Sequence, residues 1–108
     1  MNVHVVLILV TTANKAEAEQ ISQSLVEKKL IACCNIVDSV ESIFYWKNEI
    51  CKESEVLMLL KTKKELFTLV EKEIKQLHSY ENPEIVALPI ICGSEEYLSW
   101  VKAETKKS

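Results

Sequence analysis

The chain has 108 residues, 48% of them hydrophobic and 27% charged, with a net charge of −3. That length holds one packed core and not two, and the apolar content excludes a disordered tail. All thirteen basic residues are Lys, interleaved with Glu, so the guanidinium forks and basic stripe of a nucleic-acid binder are missing.

Val3 to Thr11 is apolar in both alternating registers, which predicts a strand covered on both faces. No run reaches the ~20 apolar residues of a membrane span. The apolar start has neither a basic leader nor a small-residue cleavage site, so the expectation is a mature strand of a cytoplasmic protein. His4, near its start, is expected at a surface or an interface.

Lys15 to Lys29 carries Ala18, Ile21 and Leu25 at helical spacing, with Asn14 as N-cap and Glu17 three residues on. Two long strands follow, at about 32–46 and 50–62, reversing at Lys47, Asn48 and Glu49. Arms of about fifteen residues exceed the usual five or six, so this ribbon should overhang its own domain.

Thr62 with Glu65 has the form of a capping box, and Leu66, Val70, Ile74 and Leu77 predict a second amphipathic helix to about Gln76. Pro83 pushes Asn82 to extended backbone, and Glu84 to Ile91 is expected to form a fourth strand. Gly93, the single glycine, turns the chain into a short helix capped by Ser94, with Tyr97, Leu98 and Val101 as candidate buried positions.

This order is an α+β, ferredoxin-like β-α-β-β-α-β pattern with an extra C-terminal helix and a long hairpin between the second and third strands. Both main helices then lie on one face of the sheet. The first strand and the stretch Val56 to Leu60 are apolar on the other face as well. Leaving several hundred Å2 of apolar sheet wet forgoes on the order of ten kcal/mol, a whole domain's stability. The sequence therefore predicts a homo-oligomer with facing sheets.

Cys33, Cys34, Cys51 and Cys92 contain no CxxC, which argues against a zinc knuckle, and small apolar residues in a reduced core account for them. GxSxG, P-loop and HExxH motifs are absent, so no enzyme class is indicated. Cys33 suits Cu(I) as a soft ligand and His78 suits copper or zinc; a buried small residue and a helix-end cap are the alternative roles. Trp46 and Tyr45 at the ribbon's bend fit an interface anchor or a stacking surface. Glu55, Lys61, Tyr80 and Glu84 form a candidate polar cluster in an intersubunit cleft, either a ligand site or a structural salt bridge.

LIACCNI, SIFYWKNEI, ESEVLMLLKT, HSYENPEIVALPI and YLSW, in this order and spacing, resemble the CutA family of divalent-cation-tolerance proteins along the whole chain. The resemblance implies a tight homotrimer with inward sheets, ribbons reaching onto neighbours, and a link to copper and other divalent cations without an established catalytic activity. It also resembles, in architecture, the PII signalling proteins, which bind small ligands between subunits. The family's HPY is HSY here and its Gly-Lys ribbon tip is Asn48-Glu49. Of the cysteines near copper sites proposed in some members, only Cys33 has a counterpart, with Val10 and Glu73 at two others. The expected partners are a homotrimer and a metal ion or small effector, with no nucleic acid, no membrane and no required cofactor. The alternatives are an assembly module that anchors another protein and, against the charge, an RNA-recognition-like domain.

Overall fold

A computed structural model describes residues 3–107. β1 (Val5–Thr12) leads to α1 (Lys15–Glu27), then β2 (Cys33–Trp46) and β3 (Glu49–Lys63). A 3-10 turn (Lys64–Leu66) opens α2 (Phe67–Leu77), followed by β4 (Ile85–Pro89) and α3 (Glu95–Ala103). The four strands form one antiparallel sheet in the order β2-β3-β1-β4. β1, the most apolar strand, takes a central place between β3 and β4, as its two-sided pattern requires.

One face of the sheet buries Val6, Ile8, Val10, Val56, Met58 and Leu60 against Ala18, Ile21 and Leu25 of α1 and Val70 and Ile74 of α2. The two helices are also tied by Glu73, which accepts from Ser24 Oγ at 2.9 Å and from Lys28 Nζ at 2.6 Å. Hydrogen bonds from Lys28 and Ser24 hold its carboxyl below the usual range. The opposite face presents Leu7 and Leu9 of β1, Leu57 and Leu59 of β3, and Val86 and Leu88 of β4. All six are partly or largely solvent-exposed, Val86 at 47% and Leu88 at 43%.

α3 covers one end of this second face, where Lys63 Nζ reaches the Thr105 carbonyl and the Lys106 amide bonds to the Lys29 carbonyl. Val101 is buried there, Leu98 is half-buried and Tyr97, expected inside, is 40% exposed. Gly93 has no positive φ; a Cβ on it would lie 3.3 Å from Leu98 Cδ1, so its smallness serves close packing.

The element ends differ from expectation for local reasons. α1 stops at Glu27 because Lys29 takes the left-handed region (φ 57), and the Leu30 amide bonds back to the Leu25 carbonyl at 2.9 Å, a Schellman closure without glycine. The capping box at Thr62 does not form. Thr62 is a buried strand residue donating to the Leu30 carbonyl at 2.6 Å, and the second helix opens through a 3-10 turn with no side-chain cap. β1 starts at Val5, not Val3, and β4 spans Ile85–Pro89 inside the expected 84–91, a proline being tolerated on an edge strand.

The ribbon is as long as its sequence suggests. β1 ends at Thr12 opposite Val56, so Glu49–Glu55 pair only with β2 and project roughly 23 Å beyond the sheet at ~3.3 Å per residue. A bulge between Val37 and Val40, with Ser39 at φ 62, marks the point of departure. At the tip Lys47 (φ 52) and Asn48 (φ 68) make a two-residue reversal closed by the Trp46–Glu49 pair; Glu49 belongs to the strand.

Candidate functional site

The chain gathers polar side chains where the ribbon leaves the sheet. α2 ends at Leu77 and delivers His78 edge-on to β1, with its side chain fully buried. Nε2 lies 2.7 Å from the Thr11 carbonyl, and Nδ1 accepts from the Tyr80 amide at 3.0 Å. A carbonyl can only accept, so Nε2 carries the proton and the neutral ring is held in one tautomer. The Tyr80 ring leans on it at 4.7 Å between centroids.

Tyr80 then reaches β3: its hydroxyl donates to Glu55 Oε2 at 2.7 Å. Glu55 is 6% exposed, a buried carboxylate whose hydrogen bond keeps the burial tolerable. Burial and the neighbouring Glu55 carboxylate push the Tyr80 phenol well above its ordinary value, so it stays a donor. Glu17 of α1 closes the other side. Its carboxylate accepts from the Ser79 amide at 2.7 Å and the Ala13 amide at 3.3 Å, with His78 Nδ1 at 3.9 Å. Burial pushes the Glu17 carboxyl up, but hydrogen bonds from Ser79 and Ala13 outweigh it and hold the group below its usual range. The Asn14 cap forms as expected, accepting from the Glu17 amide at 2.8 Å.

Of the polar cluster expected from the sequence, a single chain joins only Glu55 and Tyr80, with His78 packed against Tyr80. Lys61 lies six residues from Glu55 along β3, roughly 20 Å, and turns to Asn35 Oδ1 and the Leu59 carbonyl. Glu84 is exposed just before β4, at the Glu55 end of the sheet, and Trp46 stands at the ribbon tip, 40% exposed with Lys47 Nζ 5.6 Å from its ring centroid.

Cys33 and His78 do not meet. Cys33 pairs with Lys61, itself opposite Leu7, whereas His78 touches Thr11, roughly 13 Å farther along β1. Cys33 Sγ sits 3.4 Å from Tyr97 Oη, and this contact, then burial, raises the Tyr97 phenol to about 12. His78 has committed both ring nitrogens. A metal ion shared by these two residues within one chain therefore does not fit, and no group of three or more His, Cys, Asp or Glu positioned for a metal occurs among the described residues. All four cysteines are free thiols; burial raises that of Cys34 to about 11.

Sequence reasoning did not assign Thr11, Glu17 or Ser79 to this cluster. Glu17 carried a signal as the third residue after a cap. The Thr11 carbonyl carried none, because a backbone oxygen is the same in every sequence.

A family model described as CutA1 divalent ion tolerance protein matches residues 6–104. The divalent-cation tolerance protein CutA of Thermus thermophilus is 41% identical over 99 residues, covering 92% of this chain and 96% of that one. Human protein CutA is 39% identical over 97 residues, 90% of this chain and 54% of that one, so the chain spans about half the length of that animal relative. Among solved structures, the Thermus thermophilus divalent cation tolerance protein superposes with a TM-score of 0.92 at 40% identity, covering 94% and 99% of the two chains. CutA1 from Oryza sativa gives 0.95 at 35% identity, covering 98% and 97%. With the same sheet, helices and ribbon, the chain belongs to the CutA1 family of divalent ion tolerance proteins.

Proposed function

We propose that this chain is a non-catalytic, homotrimeric divalent-cation-tolerance protein of ferredoxin-like topology that binds copper or other divalent ions, or a small effector, in the clefts between subunits. The observation that carries the reading is the second sheet face. Leu7, Leu9, Leu57 and Leu59 lie side by side on it, α3 covers only one end, and the ribbon projects past the domain. Packing three such faces together removes that surface from water and gives each ribbon a neighbour to lie on. The polar cluster at the ribbon's root then sits beside an intersubunit seam, where Glu55 and Tyr80 of one chain can be joined by groups of another.

Metal binding, on this reading, draws donors from more than one chain, since Cys33 and His78 of the same chain are separated. Four free thiols suit a reducing compartment such as the cytoplasm. Light scattering is expected to return three times the chain mass for wild type and a smaller species for Leu57→Asp. A wild-type monomer at micromolar concentration would overturn the assembly. Titrating the reduced protein with Cu(I) and with Zn(II) tests the ligands: Cys33→Ser is expected to weaken Cu(I) binding and His78→Ala to perturb folding more than metal affinity. Equal Cu(I) affinity in wild type and both variants rules out these two donors.

A further inference from the structure

A cleft of about 660 Å3 opens at the end of the molecule opposite the ribbon tip, where the start of β1, the turn that opens α2 and the end of α3 converge. Its walls carry His4, Lys63, Lys64, Glu65, Thr68 and Lys102. Among the described residues, three Lys and one Glu line it, although the chain as a whole is acidic. Lys63 donates to the Thr105 carbonyl at 3.3 Å, and neither Lys64 nor Lys102 has an ion-pair partner among the described residues. Cations that outnumber anions in a concavity create a focused positive potential. The volume lies within the ordinary range for small-molecule sites.

We propose that this cleft is an anion site for a small oligophosphate. Lys ammonium groups bind phosphate oxygens as point charges from any direction, and the Thr68 hydroxyl and His4 imidazole add hydrogen-bonding partners. A single phosphate is too compact to neutralise three ammonium groups drawn from three elements; a chain of phosphates presents charge along the cleft. The competing occupant is a second copy's ribbon, which carries Asp38, Glu41, Glu49, Glu53 and Glu55 against Lys47 and Lys52.

The test is calorimetric titration of the full chain, in its native assembly, with inorganic tripolyphosphate at low and at physiological ionic strength. Wild type is expected to bind saturably and more weakly at the higher ionic strength. Lys64→Gln/Lys102→Gln, both at exposed positions, is expected to lose affinity by about tenfold. Lys47→Gln/Lys52→Gln removes the same charge from the ribbon and is expected to bind as wild type. The His4 imidazole resonances should move during the titration. Absence of saturable binding, as when a neighbour's ribbon fills the cleft, overturns the proposal; so does equal weakening in the two double variants, or resonance changes that leave His4 untouched.

Discussion

The two halves of β3 belong to one strand but are held by different forces. From Val56 to Lys63 it lies between β2 and β1, and Val56, Met58, Leu60 and Thr62 are buried under the helices. From Glu49 to Glu55 it has β2 alone, and Ile43, Tyr45 and Ile50 stand on one side of the ribbon at 62%, 74% and 68% exposure. A two-stranded ribbon with no covered face is marginal in water. The inner half is thus stabilised by the chain's own core, and the outer half has only cross-strand pairing until something covers it.

The widest separation between the halves should come from paired truncations. Met58→Ala is expected to cost about 2–5 kcal/mol in chemical denaturation, because Met58 is fully buried. Ile50→Ala should change stability by no more than about 0.5 kcal/mol wherever the ribbon is uncovered. A large loss for Ile50→Ala in the isolated chain would erase the contrast; one seen only in the assembled protein would show that a neighbour covers the ribbon.

The junction between the halves is the polar cluster, and Tyr80→Phe tests it next. Removing the hydroxyl leaves Glu55 buried without that donor, at an expected cost of about 1.5–3 kcal/mol. Urea melts at neutral pH should register it, and an unchanged midpoint would mean that water replaces the hydroxyl.

Glu17→Gln sharpens the same junction through pH. A carboxyl held below its ordinary value stabilises the fold above the normal carboxylate range and loses that contribution as pH falls through its folded value. Wild type should therefore exceed Glu17→Gln in stability at neutral pH, by about 1–2 kcal/mol, and the gap should close on acidification. A gap that widens toward acid pH has the wrong sign for this account.

The smallest effect lies at the tip. Asn48 already sits at positive φ, so Asn48→Gly should stabilise the reversal by only a few tenths of a kcal/mol on the order expected for a two-residue hairpin loop. Ribbon amide exchange, which reads local opening, is the measurement that resolves it. Faster exchange in the variant would contradict the turn assignment.

The sequence revealed elements whose cause is local. Alternation in Val3–Thr11, the Asn14 cap, the Leu66–Leu77 stripe and the length of the ribbon were all legible because each depends on neighbours within a few residues. What was hidden depends on distant backbone. The Thr11 carbonyl fixes the His78 ring from 67 residues away, and Thr62 gives its hydroxyl to Leu30 instead of to a helix start. The Schellman closure at Lys29 and the bulge at Ser39 were hidden for another reason: residues with a Cβ occupy the left-handed region there, so no glycine marks them. The expectation of three subunits rests on the family resemblance, since no spacing encodes a subunit number.

The central place of β1 also sets an order of events during synthesis. β1 emerges first, yet its two neighbours are β3 and β4, and the second of these ends at Pro89. The β2–β3 hairpin closes locally as soon as its arms are made, whereas the most apolar strand waits unpaired until β3 is complete and gains its second neighbour only once β4 is made. VVLILVTT is then a short, uncharged, β-prone segment with no partner, the kind that pairs between chains. The nascent chain's exposure to aggregation is thus concentrated in its first strand, and chaperone dependence should follow how long that strand is left waiting.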